Sequence, residues 1–360
     1  MNKIGILTFY NACNYGAFLQ AKALKEYLEE KTGSRIYLIE YKNKKIDEDY
    51  SLRGIFKQKQ KVKTIFLKLL RIKDIIKRNY VFRRCQRENF AFVRIEEVDK
   101  FDKVIVGSDQ VWNLELTDGD LNYFLPFIEP ECRVSYAASM GQVTDKMDKE
   151  AFVELVSEFY ALSVREKELA DLINTSKLEK KATVCIDPVF LKSKEAWKEY
   201  SKKDLSIKGK YILVFIMGVS KQADYIVKCA TKIGKTHGYK VILLGDQERW
   251  YKYRNLKHYG VATPREFVGL IDHAECVLTN SFHATAFSII LNVPFYIEMN
   301  IRNNSRLKSL LKLVDLESRE MFNGELDGKL DMDINWKKVN FKMKQEIDKS
   351  REFIQENILN

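Results

Sequence analysis

Apolar runs and polar segments alternate along the chain with a spacing that predicts strands followed by helices. The run at 3–9 is rich in β-branched residues and ends at polar positions, which is typical of a buried strand. Apolar positions three and four residues apart predict a helix over 17–30, which Gly33 would end. A second apolar run follows at 35–41, so the chain begins with a predicted parallel βαβ unit.

The same alternation continues on both sides of a lysine-rich segment at 192–210, which we interpret as an interdomain connection. Two α/β halves of this kind suggest facing Rossmann-like domains whose ligands bind at the carboxyl ends of the strands. The further predicted strands are 103–106, 133–137, 161–164, 182–186, 211–217, 240–244, 275–279 and 293–297. The further predicted helices are 148–160, 221–236, 264–272, 283–291 and 337–357.

This pattern also predicts the domain boundaries. We expect an N-terminal Rossmann-like domain over 1–190, with a basic helical insertion at about 44–94. A C-terminal Rossmann-like domain over 191–336, expected to bind the donor, follows. The closing helix, 337–360, could pack back on the N-terminal domain. A length of 360 residues agrees with two domains.

The composition excludes several classes of protein. With 46% hydrophobic and 12% aromatic residues, the chain can bury sizeable cores, and intrinsic disorder is not expected. No apolar stretch approaches the roughly 18 to 20 residues of a spanning helix, and no signal peptide is evident, so we expect a cytoplasmic protein. The six cysteines are never closer than 44 residues, which favours buried thiols in a reducing compartment over a metal site.

The net charge of +11 comes from one segment, because 42–94 contains 17 basic and five acidic residues. Within it, 62–76 interleaves apolar and basic positions and predicts a basic amphipathic helix. One interpretation is a helix packed on its domain with a solvated basic face. The other is peripheral contact with the inner face of a membrane through 57–84. No specific nucleic-acid partner is expected, because no recognised nucleic-acid-binding motif occurs.

Three loops that follow predicted strands contain candidate functional residues. The first, NACNYG, contributes Asn11, Asn14, Tyr15 and Gly16 at the start of a predicted helix. Amides and the helix dipole at such a position favour an anion or a sugar hydroxyl. A capped turn is the alternative interpretation.

The second loop, GSDQVWN, begins after the strand at 103–106. Asp109 there could act as a general acid or base. Alternatively Ser108 and Asp109 are helix caps, since both residue types favour that position. Trp112 is expected in the core.

The third loop, TNSFHATAF, follows the strand at 275–279. Ser281, His283 and the amides of 283–285 could surround a phosphate. The other three histidines, at positions 237, 258 and 273, are expected on helices or in turns.

Arginines after two other strands add candidate cationic groups. Arg165 could bind a carboxylate or phosphate with its guanidinium fork, or form an ion pair with Glu166 or Glu168. Arg302 and Arg306 follow the strand at 293–297 and are further candidates.

The motifs NYGAFLQ, GSDQVWN and SFHATAFSI are specific when they occur together and in this order. With them the chain resembles the polysaccharide pyruvyl transferase family, from residue 3 to about 312. The matching stretches are KIGILTFYNACNYGAFLQAKAL, VIVGSDQVWN, SVREK, IDPVFL, LTNSFHATAFSIILNVPF and NSRLKSLL.

The resemblance implies an α/β, GT-B-like fold: two Rossmann-like domains with mainly parallel sheets facing across a cleft. It implies transfer of a pyruvyl group from phosphoenolpyruvate to a sugar of a cell-surface polysaccharide or its lipid-linked precursor, forming a cyclic ketal. No cofactor and no metal are expected. Among donor-binding residues, the resemblance implies Arg165 and His283. The strand-end loops themselves add further candidates: Ser281, Ala284 and Arg306 for the donor, and Asn11, Asn14, Tyr15, Gly16, Ser108 and Asp109 for the acceptor.

Ketal formation requires cations around the donor, an acid that protonates the enol carbon, and a base for the attacking hydroxyl. Asp109 is the candidate for this proton transfer, and a protonated His283 could share it. Ser281 departs from the family, whose members often have arginine there, and Arg306 or Arg302 could replace that charge.

Three alternatives remain open at this point. One is a GT-B-type glycosyltransferase that uses a nucleotide sugar. Another is a non-catalytic family member that only binds an acceptor. The third is a nucleic-acid-binding protein, which a pI near 9.1 would allow.

Overall fold

The computed structural model describes residues 3–49, 65–144, 147–202, 204–217, 222–245, 251–299, 305–321 and 332–360. The chain divides into two compact units, which we call unit 1 and unit 2. Unit 1 contains Met1–Asp49, Gln86–Lys192 and Phe341–Asn360, and unit 2 contains Tyr50–Cys85 and Ser193–Asn340. Unit 1 is therefore built from three separate stretches of chain.

Unit 1 contains a parallel sheet with strand order β3-β2-β1-β4-β5. Two further parallel strands, β6 and β7, continue it, because the Ser135 amide donates to Ala161 O at 3.0 Å and the Ala138 amide to Ser163 O at 3.2 Å. The strands are β1 (Ile4–Leu7), β2 (Ile36–Glu40), β3 (Ala91–Arg94), β4 (Lys103–Val106), β5 (Arg133–Ser135), β6 (Leu162–Val164) and β7 (Ala182–Val184).

Unit 2 contains a second parallel sheet, with strand order β10-β9-β8-β11-β12-β13. Its central strands are buried on both faces, as expected for a parallel sheet covered by helices. The strands are β8 (Tyr211–Phe215), β9 (Lys240–Leu244), β10 (Lys257–Gly260), β11 (Cys276–Thr279), β12 (Phe295–Glu298) and β13 (Glu320–Met321).

Helices connect most of these strands. The α-helices are α1 (Tyr15–Thr32), α2 (Lys44–Asp49), α3 (Ile65–Asn89), α4 (Leu114–Thr117), α5 (Lys149–Ser157), α6 (Lys167–Asn174), α7 (Lys194–Tyr200), α8 (Gln222–His237), α9 (Pro264–Asp272), α10 (Phe282–Leu291), α11 (Ser305–Leu313) and α12 (Trp336–Ile354). A π-helical turn, Gln355–Leu359, follows α12, and short 3₁₀ helices include Leu121–Phe124 and Pro188–Leu191. Among the described residues, no helix is both long enough and apolar enough to cross a bilayer.

The predicted start of the chain is confirmed. The helix between β1 and β2 begins after Asn14, whose side chain accepts from the Gly16 amide at 2.8 Å. It ends at Gly33, which has φ 64° and donates its amide to Glu29 O at 2.9 Å. Glycine adopts this left-handed conformation without steric cost, which explains why the helix ends there.

Three predictions about local structure are wrong. The basic helical insertion expected at about 44–94 ends in a strand, because β3 pairs with β2 in the unit 1 sheet. His258 lies in strand β10 instead of a helix or turn, and its Nε2 is 3.1 Å from Tyr253 O. The segment at 192–210 is more than a connection, because it contains α7. Trp197 of that helix is fully buried and packs edge-on against Phe287, with 4.9 Å between the ring centroids. From Ser193 onward this segment thus belongs to unit 2.

All six cysteines lie in described residues and all are thiols. Cys185, Cys229 and Cys276 are buried, and the other three are partly exposed. The prediction of buried thiols is therefore right for three positions and wrong for Cys13 and the two others, Cys85 and Cys132.

Candidate functional site

The carboxyl ends of β1, β4, β5 and β6 lie along one edge of the unit 1 sheet, because these strands are parallel. Ligands of open α/β sheets bind at this edge. Polar residues follow three of the strands there: Thr8 after β1, Ser108 and Asp109 after β4, and Arg165 after β6. The sheet thus brings together side chains that are far apart in sequence.

The loop after β4 has an unusual backbone conformation. Gly107 has φ 109°, and a Cβ there would lie 2.5 Å from Tyr136 O, so a larger residue does not fit. The Gly107–Ser108 peptide bond is cis. Asp109 has φ 79° and is partly exposed, and its backbone O accepts from the Ser139 amide at 2.9 Å. Asp109 Oδ1 accepts from the Gln110 amide at 2.8 Å, so backbone amides hold both the main chain and the carboxylate of Asp109 at this edge of the sheet.

The capping alternative for Ser108 and Asp109 is wrong. Helix α4 begins after Asn113, whose Oδ1 accepts from the Leu116 amide at 3.0 Å. Trp112 is in the core as predicted: it is fully buried and stacks on Phe124 with 5.7 Å between the ring centroids.

Arg165 contacts this loop through the hydroxyl of Ser108. Its guanidinium NH2 donates to the Ser108 hydroxyl and lies 2.8 Å from Asp187 Oδ2. Both side chains of the ion pair are almost completely buried. The Ser108 hydroxyl in turn donates to Ala137 O at 2.9 Å. The ion-pair partner is Asp187, so the alternative of pairing with Glu166 or Glu168 is wrong.

A second set of hydrogen bonds reaches the same loop from β1. The Thr8 hydroxyl donates to Ser108 O at 2.8 Å and accepts from Gln20 Nε2 at 2.9 Å. Gln20 is fully buried in α1. The Ser108 loop is thus fixed from two sides, since β1 lies on one side of β4 and Arg165, which follows β6, contacts the loop from the other side.

A second carboxylate, that of Glu166, is buried close to this loop. Its Oε1 accepts from the Ser139 hydroxyl and, at 3.3 Å, from the Gly141 amide. Because the Ser139 amide donates to Asp109 O, one residue connects the two acidic positions.

Thr8, Gln20 and Asp187 are not among the site residues predicted from the sequence, and Glu166 is predicted only as a possible ion-pair partner of Arg165. Two of them had usable signals. Thr8 follows a strand directly, and Gln20 is a polar residue on the buried face of α1. Asp187 precedes a proline and reads in the sequence only as a break in the pattern.

The first predicted loop, NACNYG, is a capped helix start in the structure. Asn14 Oδ1 accepts from the amides of Gly16 and Ala17, at 2.8 and 3.4 Å. Asn11 Nδ2 donates to Asp47 of α2 at 2.8 Å. Tyr15 is buried. These contacts agree with the capped-turn alternative, and the acceptor-binding role of this loop stays a prediction.

The third predicted loop lies at the corresponding edge of unit 2. The Thr279 hydroxyl donates to Phe215 O at 2.6 Å and accepts from the Ser281 amide at 3.0 Å. Asn280 bonds both the amide and the carbonyl of Met217, at 2.7 and 3.0 Å. The loop after β11 is thereby tied to the end of β8.

Ser281 caps helix α10 and His283 lies in its first turn. The amides of Ala284 and Thr285 contact Ser281, Ala284 its Oγ at 3.4 Å and Thr285 its carbonyl at 3.1 Å. The expectation that all the amides of 283–285 are available to a phosphate is therefore wrong for Thr285, and the Ala284 amide has only a long contact with the Ser281 hydroxyl.

Two nitrogen-rich side chains flank one aromatic ring at this helix start. The His283 ring packs edge-on against Phe282, with 5.2 Å between centroids. The guanidinium of Arg306, in α11, lies 5.6 Å from the centroid of the same ring. The structure thus brings Arg306 to the helix start that contains Ser281 and His283. Arg302 lies outside the described residues.

The two edges differ in the chemistry they can perform. An imidazole, a guanidinium and the positive end of α10 favour an anion such as a phosphate or carboxylate. The partly exposed Asp109 carboxylate can accept or donate a proton.

Two solved structures resemble this chain in fold. UDP-GlcNAc 2-epimerase from Methanocaldococcus jannaschii has a TM-score of 0.51 and 14% identity, over 97% of this chain and 93% of that chain. The enzyme from Neisseria meningitidis, bound to UDP-GlcNAc, has a TM-score of 0.50 and 12% identity, over 99% of this chain and 93% of that chain. At such identities the likeness concerns the fold alone, and it confirms the predicted GT-B-like α/β class.

No protein with a curated function matches the sequence. The sequence profile described as "Polysaccharide pyruvyl transferase" matches residues 14–298. That range includes the strand-end loops around Asp109, Arg165 and His283 and covers well over half of the chain. The chain therefore belongs to the polysaccharide pyruvyl transferase family.

Proposed function

We propose that this protein transfers the pyruvyl group of phosphoenolpyruvate to a sugar of a cell-surface polysaccharide or of its lipid-linked precursor. The product is a cyclic pyruvate ketal on two sugar hydroxyls. One observation supports the proposal beyond family membership: His283 and Arg306 both contact Phe282 at the start of α10. A compact, highly charged anion is the ligand that such a group of residues suits.

The reaction balances without an oxidant or reductant. A proton is added to C3 of phosphoenolpyruvate, and one sugar hydroxyl forms a bond to C2 and loses its proton. The bond from C2 to the phosphate oxygen breaks, and the second hydroxyl forms the other bond to C2 as its proton leaves. One of the two released protons balances the proton gained by C3, and the other leaves with phosphate.

We assign the proton transfers to Asp109, with His283 sharing them when it is protonated. The geometry supports Asp109 because its backbone is fixed while its carboxylate is partly exposed. General acid–base catalysis of this kind contributes about 10²–10⁴-fold to a rate. The donor is held by Ser281, His283, Ala284 and Arg306 in this proposal.

In this proposal Arg165 positions the loop that contains Asp109. Its charge is compensated by Asp187, and its contact with Ser108 orients the loop that carries Asp109. The donor contact expected for Arg165 from the family resemblance stays a prediction, as does the acceptor contact of Ser108, whose hydroxyl is buried.

The deciding experiment offers the full chain one donor at a time with a panel of sugar acceptors. Phosphoenolpyruvate should release inorganic phosphate and give a product with a methyl singlet in its proton NMR spectrum. Consumption of UDP-GlcNAc or another nucleotide sugar, with phosphoenolpyruvate untouched, would instead establish a glycosyltransferase.

Titration calorimetry with phosphoenolpyruvate distinguishes the proposed transferase from a non-catalytic family member that only binds an acceptor. Binding without turnover on any acceptor leaves the donor site supported and calls for other acceptors. Absence of heat at millimolar phosphoenolpyruvate, together with heat from the sugar acceptors, would establish a non-catalytic acceptor-binding protein and overturn the proposal.

A further inference from the structure

Helix α3 exposes a row of large apolar side chains. Leu69 is 60% exposed, Ile76 54% and Tyr80 67%. Spacings of seven and four residues place all three on one face of the helix. Because folded proteins seldom expose several large apolar side chains side by side, this face has the character of a contact surface. We call Leu69, Ile76 and Tyr80 the apolar row.

Basic side chains lie next to the apolar row. Lys73, Lys77 and Arg83 are all exposed. Lys73 is four residues after Leu69 and three before Ile76, and Arg83 is three residues after Tyr80, so these pairs are neighbours on the helix surface. Over Ile65–Asn89 the helix contains eight basic and two acidic residues, and the acidic Asp74 is buried. The exposed face is therefore positive.

Another face of the helix packs on the protein. Ile75 and Phe82 are buried and seven residues apart, so they share one face of the helix. Because an α-helix turns about 100° per residue, Ile75 lies about 100° around the axis from its neighbour Ile76 in the apolar row. Near the end of the helix, Gln86 Nε2 donates to Tyr10 O at 2.8 Å. A rotation that covered the apolar row would expose Ile75 and Phe82, so the exposure of the row is a fixed property of the fold.

We propose that this face of α3 binds an anionic membrane surface, with the helix lying in the plane of the membrane. The apolar row would enter the boundary between headgroups and acyl chains, and Lys73, Lys77 and Arg83 would contact lipid phosphates. Nucleic acid fits the observations less well, because its phosphates pair with the basic residues but leave Leu69 and Ile76 exposed. A membrane accommodates both kinds of side chain.

The test is co-sedimentation of the full chain with vesicles of phosphatidylcholine, alone or mixed with phosphatidylglycerol. The protein should bind only the mixed vesicles, and added salt should weaken the binding. Each basic residue near an anionic leaflet raises partitioning about fivefold, so Lys73→Glu with Lys77→Glu and Arg83→Glu should lower it at least about 100-fold.

A matched control makes the same charge change elsewhere in unit 2. Lys228, Lys232 and Lys235 of α8 are exposed, and their replacement by glutamate should lower partitioning much less. An equal loss in this control would show that binding follows net charge alone, and it would overturn the proposal. No binding to mixed vesicles, or equal binding to both kinds, would overturn it as well.

A second variant tests the apolar row without changing charge. Leu69→Gln with Ile76→Gln should lower partitioning about tenfold, since two partly exposed aliphatic side chains are lost from the membrane contact. Circular dichroism and the melting temperature should match the unmodified protein, because both residues are exposed. If this variant binds the mixed vesicles as well as the unmodified protein does, the proposal is overturned. Binding of the unmodified protein to duplex DNA that is tighter than its binding to the mixed vesicles would favour nucleic acid instead.

Discussion

Asp109 combines an uncommon backbone with a catalytic side-chain type. A positive φ of 79° is uncommon for a residue with a Cβ, and such positions cluster at active sites. The Ser139 amide stabilises this conformation by donating to Asp109 O. Asp109 does not cap a helix, so its carboxylate is placed at the edge of the sheet for another role.

Replacing Asp109 by asparagine should lower kcat about 10²–10⁴-fold while the Kd for phosphoenolpyruvate stays within about threefold. The amide has nearly the same shape but cannot carry the proton. Phosphate release and titration calorimetry measure the two quantities. A kcat within tenfold of the unmodified enzyme would show that Asp109 is not the acid or base.

Replacing His283 by glutamine should raise the Kd for phosphoenolpyruvate about 10- to 100-fold, because a hydrogen bond to a charged group is lost. His237→Gln is the matched control, since His237 lies exposed at the end of α8. Equal affinities for the two variants would remove His283 from the donor site.

Strands and the loops that follow them explain why much of the site was predictable. Buried parallel strands occur in a sequence as continuous apolar runs, so the loops that follow 103–106 and 275–279 can be located from the sequence. Strand β10, Lys257–Gly260, was missed because it is short and polar and depends on pairing with β9. The partner of Arg165 was missed as well, since only the neighbouring position of β6 and β7 brings Asp187 to it.

The ion pair after β6 and β7 should be important for stability. Asp187→Asn leaves the Arg165 charge buried without its partner and should lower the free energy of unfolding by about 3 kcal/mol or more. Lys344→Met is the control, because it breaks an exposed ion pair with Asp348, which is worth at most about 1 kcal/mol.

Chemical denaturation of the two variants measures both changes. The double variant Arg165→Met with Asp187→Leu should recover much of the stability, because apolar residues of similar volume replace the pair. A loss for Asp187→Asn no larger than that for Lys344→Met would show that the Arg165 charge is compensated by groups other than Asp187.

At the scale of the whole molecule, burial separates the six thiols into two classes. Burial raises the pKa of Cys185 and of Cys229 to about 11, and it raises that of Cys276 further. A raised pKa leaves little thiolate near pH 8, and the thiolate is the reactive form.

A chromogenic thiol reagent at pH 8 should therefore react quickly with three cysteines of the native protein and with all six after unfolding. Cys132→Ser should reduce the fast class to two, whereas Cys276→Ser should leave it at three. Six fast thiols in the native protein would contradict the burial of this core.

Unit 1 is completed by residues that come late in the chain. The Ile186 amide donates to Ser350 Oγ at 3.0 Å, and Arg351 donates to Leu191 O at 3.0 Å. Phe353, Ile354 and Ile358 are buried. During synthesis, all of unit 2 leaves the ribosome before Phe341–Asn360 does, so the half that begins first must wait longest for its final contacts. A chain that ends just before Phe341 should therefore have a protease-sensitive unit 1 and a protease-resistant unit 2.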